Sequence, residues 1–400
     1  MGLGGRPRSG LRLAIYLASS FIFSLGASMT TPVFPHFVLK LGLEMKLLGL
    51  IGTASSAINT ALRVPVSAAM PVVGYFKVVC AGYWLVAASR ALYSLADAGV
   101  YPVALFSLGY VLSAVQFGLV RATRASVVAR LTAGERRGFF MGLASSLAMA
   151  AACVGPLLGA ALYENYGTFT SVFYASATLA LLASASLVPL TLRDIKGERG
   201  EALSLADQLR AAPAVIRRGG LGAALILFMA DAFVWSLTFR YVPIYLASRL
   251  GATPSDLAVL NLVSTAVSAV GLVSAGYVSD RLRRRAPFLV ISELCGVAYF
   301  SAILAASDLT LAYVAYAFMG FVISFWSPVA SAYVTERAER TSRDMVPIAV
   351  GVWMLLTSLA RTPGGFVGGV LYDISPRLLF GVVVAMLAAL TALMALLLRD

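Results

Sequence analysis

Stretches of about 20 consecutive apolar residues recur along the whole chain, and no other feature of the sequence restricts its fold so strongly. A helix of about that length crosses a hydrocarbon core of roughly 30 Å. The composition agrees with this reading, because 60% of the residues are hydrophobic and 12% are charged, whereas about a quarter of a soluble domain is charged. The chain is therefore expected to be an all-α, polytopic membrane protein.

Turn and charge signals between the apolar stretches predict twelve transmembrane segments. Their approximate bounds are 13–35, 46–76, 78–96, 100–131, 137–163, 168–191, 219–247, 256–278, 287–306, 309–335, 345–371 and 375–398. The one long polar stretch, 193–218, is predicted to be a cytoplasmic linker. It separates an N-terminal bundle of six helices, 1–192, from a C-terminal bundle of six helices, 219–400.

The two predicted bundles contain related sequence at a constant offset of 209 residues. The matching positions are Gly42 with Gly251, Gly155 with Gly364, Gly159 with Gly368, and Leu162-Tyr163-Glu164 with Leu371-Tyr372-Asp373. One offset at two distant places indicates a duplicated six-helix unit, so we expect two pseudo-symmetric bundles. Secondary transporters often have such repeats, with the solute site between the halves.

The net charge of +13 raises the question of nucleic-acid binding, since basic patches bind phosphate backbones. Of the 31 Lys and Arg residues, 21 fall in the termini, linker and loops predicted to face the cytosol, and four fall in the opposite loops. Cytoplasmic loops of membrane proteins carry this excess. The charge thus indicates a plasma-membrane protein with both termini cytoplasmic, and we expect no nucleic-acid partner.

The residues needed for enzymatic or ATP-driven chemistry do not stand out. The three cysteines lie in apolar segments at spacings that predict neither a disulfide nor a metal site, and His36 is the only histidine. No Gly-rich phosphate loop with Lys-Ser or Lys-Thr occurs. We therefore expect no enzyme, no cofactor and no metal.

A carboxylate in the middle of a membrane segment is costly and usually faces a cavity or a partner. Asp231 lies 12 residues beyond Gly219, which places it about 18 Å into a helix and near the bilayer centre. Trp235 is one turn further on and shares its face. Asp231 is therefore a candidate proton or cation site, and the alternative is a structural ion pair with a buried arginine.

Basic residues follow Gly276 and Asp280 at the junction of the predicted eighth and ninth segments. Asp280 could accept hydrogen bonds from a helix N-terminus, and Arg281 or Arg284 could pair with Glu336. This group would form a cytoplasmic latch between helices. The simpler alternative is a basic cluster that only fixes topology.

Small residues and prolines cluster in the predicted fifth and eleventh segments. They are Gly155, Pro156, Gly159, Pro363, Gly364 and Gly368. Such residues allow close helix packing and can also mark a bend. Both roles need the same residues, so packing and hinge remain open at this point.

The sequence resembles the major facilitator superfamily in helix count, linker, duplication and motifs. The stretch from Gly276 to Arg285 is similar to that family's loop signature, and Gly155-Pro156-Leu157-Leu158-Gly159 resembles a motif of its drug:proton antiporter branch. The first-half counterparts of Gly276 and Asp280 are Ser67 and Pro71, so the N-terminal copy of the signature is degenerate. The resemblance implies two bundles that rock about a central site.

The arginines of the membrane segments become candidate solute contacts under this resemblance, because the fourth helix lines the cavity in the family. Arg121 and Arg124 share one side of that helix and could clamp a carboxylate or phosphate, with Arg63 and Arg361 as further candidates. Trp235 and Trp326 are candidate aromatic contacts. The alternative is that these arginines snorkel or form internal ion pairs. Six arginines against Asp231 and Glu293 slightly favour an anionic or zwitterionic solute.

The resulting prediction is a monomeric secondary active transporter that moves a small organic solute through the lipid bilayer by alternating access, coupled to protons in an efflux or antiport mode. One alternative is an organic-anion symporter, exchanger or facilitator. An alternative from another class is a non-transporting sensor or scaffold with a transporter fold.

Overall fold

The structure is a computed structural model of the chain. It describes residues 6–132, 137–192, 194–195, 210, 213, 220–282, 284–340 and 345–398. The predicted linker 193–218 therefore lies almost entirely outside the described residues.

Fifteen helices occupy the described residues, and no strand occurs among them. In chain order they are α1 (Arg6–Met29), α2 (Phe34–Lys40), α3 (Met45–Val73), α4 (Tyr75–Asp97), α5 (Pro102–Leu131), α6 (Arg137–Tyr166), α7 (Phe169–Thr191), α8 (Gly222–Thr238), α9 (Tyr241–Arg249), α10 (Pro254–Leu282), α11 (Ala286–Ala305), α12 (Leu309–Glu339), α13 (Met345–Arg361), α14 (Gly364–Ile374) and α15 (Pro376–Leu397).

Eleven stretches of the described residues are long and apolar enough to cross a membrane. Two of these stretches contain two consecutive helices each, α8 with α9 and α13 with α14. The predicted second segment corresponds to α3, a helix of 29 residues with Pro65 and Pro71 inside it, which is not among the eleven. The prediction of an all-α polytopic membrane protein is confirmed. The described residues contain eleven candidate spans, one fewer than the twelve segments predicted.

The helix bounds repeat along the chain at the 209-residue offset. Helix α3 spans Met45–Val73 and α10 spans Pro254–Leu282, so both bounds differ by 209. The turns before these two helices contain Gly42 and Gly251, whose φ angles of 62° and 65° lie in the left-handed region that glycine adopts without strain. The duplication is therefore present in the local backbone as well as in the sequence.

The helices pack into two compact units. The first unit contains residues 1–42 and 57–202, and the second unit contains residues 43–56 and 203–400. The beginning of α3, segment 43–56, thus groups with the second unit although it belongs to the first half of the chain.

Each unit uses the same order of helix packing. In the first unit α4 packs on α5 and α7, while α1 packs on α6 and α7. In the second unit, the helices one repeat later form the same pairs: α11 packs on α12 and α15, while α8 packs on α14 and α15. An aromatic cluster fills part of the first unit, where the rings of Phe37 and Phe173 meet edge to face at 4.9 Å.

Candidate functional site

Two buried carboxyl groups meet inside the second unit. Asp231 of α8 is 2% exposed and Glu293 of α11 is 1% exposed, and the two carboxyl groups lie close enough to hydrogen-bond to each other. Oδ1 of Asp231 and Oε2 of Glu293 have no hydrogen-bond partner among the described residues. These two residues are called the carboxyl pair below. Two acidic groups in direct contact at membrane depth form an unusual and costly arrangement.

Trp235 and Arg361 complete the surroundings of the carboxyl pair. Trp235 lies one turn after Asp231 and hydrogen-bonds to its carboxyl group, so the two residues that were predicted to share a face are in contact. The indole ring stacks on Tyr299 at 6.2 Å and contacts Phe300 at 5.2 Å. Arg361, the last residue of α13, is exposed and interacts electrostatically with Asp231. The site thus combines two acids, one cation and one indole N–H donor.

Arg124 lies in a separate polar site in the first unit. Its Nη2 donates to Ser20 Oγ at 2.8 Å and to Ser24 Oγ at 3.3 Å, so hydroxyl groups of α1 hold the guanidinium. No ion pair with Arg124 occurs in the described part of the chain. A guanidinium held only by neutral groups keeps its charge available for an anion.

Arg90 is a second cation inside the first unit, and the sequence did not single it out. It is 9% exposed, its Nε donates to Ser176 Oγ at 3.4 Å, and its guanidinium lies 5.4 Å from the centre of the Tyr93 ring. Across the described ranges no carboxylate pairs with it. Hydroxyl groups and an aromatic ring, rather than an acid, stabilise this charge.

Trp326 belongs to a different environment from Trp235. Its ring meets Phe228 edge to face at 5.2 Å, and Phe228 also contacts Trp353 and Tyr333. Phe228 precedes Asp231 by three residues on α8, so this aromatic cluster lies beside the carboxyl pair along the helix. The structure therefore does not bring Trp235 and Trp326 onto one aromatic surface.

Four other predicted site residues have side chains outside those that the structure describes. They are Arg63, Arg121, Gly276 and Asp280. Their roles as solute contacts or as parts of the latch stay predictions.

The partner of Glu336 is Arg285, not Arg281 or Arg284 as predicted. Arg285 Nη2 and Nε lie 2.7 Å and 3.1 Å from Glu336 Oε1, and Nη1 donates to Ser279 Oγ at 2.6 Å. Arg285 precedes α11 and its guanidinium contacts Glu336 of α12, whereas the side chains of Arg281 and Arg284 are exposed.

Replacing Arg285 with alanine is expected to lower the stability of the second unit by about 1 kcal/mol, since it removes a two-contact ion pair whose Glu336 side is partly exposed. A loss of that size lowers the unfolding temperature of a unit of this length by about 2–4 °C. Thermal unfolding of the purified protein in detergent measures it. Arg284→Ala is the matched control, and an equal effect of the two substitutions would contradict the assignment.

The predicted glycines of the fifth segment pack against α1, and those of the eleventh segment pack against α8. A Cβ on Gly159 would overlap the carbonyl oxygen of Met29, and a Cβ on Gly368 would overlap that of Leu237. Gly155 also lies in close contact with α1, and Gly364 lies in close contact with α8. Helix α6 continues through Pro156, whereas the eleventh segment breaks after Arg361 and resumes at Gly364, with Pro363 as the N-cap residue.

Helix α14 has a second glycine face, which packs on segment 43–56. A Cβ on Gly369 would overlap the carbonyl oxygen of Met45, and Tyr241 Oη donates to Gly365 O at 2.6 Å on the same side. Asp373 accepts from the backbone N–H groups of Met45 and Lys46 at 3.0 Å and 2.8 Å, so it caps the start of α3. Segment 43–56 is therefore held by backbone contact and by a cap supplied from another helix.

Residues 16–346 match the family model of the Major Facilitator Superfamily, which is well over half of the chain. The chain belongs to the major facilitator superfamily. Together, the family and the fold support a secondary membrane transporter and not an enzyme. No curated protein sequence matches the chain.

Solved structures of other transporters share the fold of this major facilitator protein. A bacterial homologue of the human lysosomal transporter Spinster, inward-facing and unoccupied, is 15% identical with a TM-score of 0.71, and 98% of each chain is covered. A single-residue mutant of the nucleoside transporter NupG is 12% identical with a TM-score of 0.76, over 97% of this chain and 100% of that one. A POT family transporter in complex with a thioalcohol-conjugated peptide is 12% identical with a TM-score of 0.74, over 99% of this chain and 97% of that one.

Sequence reasoning did not predict the contact of Glu293 with Asp231, and it missed Arg285 and the two serines that hold Arg124. Glu293 was counted among the charges at membrane depth, but nothing in the sequence places it against Asp231. Arg285 is one of three consecutive arginines and carries no distinguishing signal. Ser20 and Ser24 lie four residues apart on a helix that contains several serines, and only their contact with Arg124 selects them.

Proposed function

We propose that this protein is a proton-coupled secondary transporter in which Asp231 is the proton-carrying residue. The observation that supports the proposal is a carboxyl group 2% exposed in α8, with one oxygen that has no hydrogen-bond partner among the described residues. A carboxylate in a low-dielectric interior is stable only when it is paired or neutralised by a proton. A site of this kind can couple the movement of a proton to a change in protein conformation.

The solute in this proposal is anionic or zwitterionic, and Arg124 binds its negative group. Arg124 is held by two hydroxyl groups, and no carboxylate of the described residues pairs with it. A planar guanidinium recognises carboxylate or phosphate through two parallel hydrogen bonds. Among the three transporters named above, one is a nucleoside transporter and one was solved with a peptide conjugate, and neither solute is carried over to this chain.

The transport cycle in this proposal is alternating access, and the double glycine face of α14 supports it. Gly364 and Gly368 contact α8, whereas Gly365 and Gly369 contact segment 43–56. The second contact joins α14 to a helix whose later residues belong to the first unit. Release of that contact is a physically simple way to let the beginning of α3 move.

Efflux in the drug:proton antiporter mode and a plasma-membrane location with cytoplasmic termini belong to the same proposal. The Gly155–Gly159 motif supports the first, and the 21 to 4 distribution of basic residues supports the second. An organic-anion symporter or exchanger is the second candidate function, and Arg124 with its serine partners favours it.

The test of proton coupling uses purified protein in proteoliposomes and a panel of radiolabelled carboxylates, sugar phosphates, nucleosides and dipeptides. We expect at least one anionic or zwitterionic compound to reach a concentration ratio of about tenfold across the vesicle membrane under an imposed gradient of one pH unit, because that gradient supplies about 1.4 kcal/mol per proton. Asp231→Asn should reduce the accumulation to the value measured without a gradient.

Glu164→Gln is the matched control, because Glu164 is an exposed carboxylate in the first unit and has no part in the site. A gradient response that survives in Asp231→Asn would show that the proton is carried elsewhere. A panel in which only the uncharged nucleosides respond would contradict the solute class.

A further inference from the structure

We propose that Glu293 and Asp231 act as one coupling site that holds a single proton, with Arg361 as its permanent counter-charge. The inference rests on the proposed proton coupling and adds a residue and a stoichiometry to it. Glu293 then has a function of its own: it shares the proton with Asp231.

The contact between the two acids requires a proton. An ionised carboxyl group only accepts hydrogen bonds, so two carboxyl groups bond to each other only when one of them carries a hydrogen. The carboxyl groups of Asp231 and Glu293 lie within hydrogen-bonding reach of each other, and both are almost fully buried. The indole N–H of Trp235 supplies a further donor to Asp231 but no charge.

Charge balance sets the number of protons at one. Two carboxyl groups with one proton carry a single negative charge, and Arg361, which interacts with Asp231, carries one positive charge. The group of three is then neutral, which is the least costly state at membrane depth. Without the proton the group has a net charge of −1, and with a second proton it has a net charge of +1.

No other described charged side chain of the neighbouring helices alters this balance. Glu293 is the only charged residue of α11, and Arg361 is the only one of α13. The charged residues of the other helices packed on α8 and α11 lie at helix ends: Asp373 ends α14, Arg377 begins α15, and Glu336, Arg337 and Glu339 end α12. Tyr299 and Tyr316 face Trp235 or each other and add no charge while they keep their hydroxyl protons.

The proton-release step follows from this arrangement. The O–H bond of the protonated carboxyl group breaks, both electrons stay on its oxygen, and the proton passes to a water molecule. The pair then has two negative charges against the single charge of Arg361. Because two carboxylates repel each other and no longer hydrogen-bond, α8 and α11 lose a direct link at this point.

Infrared spectroscopy of the purified protein in lipid at neutral pH tests the single shared proton through the C=O band of buried protonated carboxyl groups. Glu293→Gln should remove the band completely, because the remaining carboxylate, Asp231, is neutralised by Arg361. Arg361→Gln should increase the band about twofold, because neutrality then requires two protons. Glu164→Gln, at an exposed carboxylate, should leave it unchanged.

The outcomes separate this inference from the proposed function. A band that persists at wild-type intensity in Glu293→Gln, or that does not increase in Arg361→Gln, overturns the shared site even if uptake responds to a pH gradient. If the band follows all three expectations, the shared proton is supported. If uptake is at the same time insensitive to the pH gradient, proton-coupled transport is refuted. Arg361 is exposed, so its variant gives a result even if a substitution in the buried pair prevents folding.

Discussion

Leucine in place of Gly159 or Gly368 is expected to prevent most of the protein from folding. A Cβ at either position would overlap a backbone carbonyl oxygen of the adjacent helix, Met29 in the first unit and Leu237 in the second. Neither carbonyl can move away as a flexible side chain could. Overpacking a close helix contact costs about 3 kcal/mol or more, which lowers the folded-to-unfolded ratio about a hundredfold. Size-exclusion chromatography of a fluorescent fusion in detergent measures the monodisperse fraction.

Gly142 provides a control in the same helix as Gly159. No atom lies within 4 Å of the position that a Cβ on Gly142 would occupy, so Gly142→Leu adds an identical side chain without a clash. Its profile should match that of the unaltered protein. If Gly142→Leu lowered the monodisperse fraction as much as Gly159→Leu, lipid insertion rather than close packing would limit the folding of α6.

Gly369→Leu is expected to detach segment 43–56 while the second unit stays folded. A Cβ on Gly369 would overlap the carbonyl oxygen of Met45 and lie 2.8 Å from the Tyr241 hydroxyl, whereas the opposite face of α14 against α8 is unchanged. Moving the segment away relieves the clash. We estimate a cost of about 2 kcal/mol to the packed arrangement, equivalent to a roughly thirtyfold rise in the detached population.

Cysteine labelling measures that population. Leu48 lies in segment 43–56 and is fully buried, so Leu48→Cys should react slowly with a membrane-impermeant maleimide once Cys80, Cys153 and Cys295 are replaced. Adding Gly369→Leu should increase the rate about thirtyfold. Gly381→Leu on α15, where a Cβ meets no atom within 4 Å, should not change it. Unchanged labelling in Gly369→Leu would show that the glycine face of α14 does not hold the segment.

Local hydropathy predicted much of the fold. Most helices of the second half begin and end close to the position predicted from the first half by the 209-residue offset, because apolar length and turn residues act within single segments. The exception is α6, whose counterpart is divided into α13 and α14. The pairing of Asp231 with Trp235 was also predictable, since residues four apart share a helix face. The partner of Glu336 was predicted wrongly, because nothing in the sequence distinguishes Arg285 from Arg281 or Arg284 and only packing selects it.

The sequence by itself determined that the chain crosses the membrane many times, that its halves are related and that its basic residues concentrate on one predicted side. These properties depend on the transfer energies of individual segments, which composition sets. The tertiary structure decided which faces meet: Glu293 against Asp231, the serines of α1 against Arg124, and the two glycine faces of α14 against different partners. Membrane insertion depends little on the rotation of a helix about its axis, so that rotation is set only by packing against neighbouring helices.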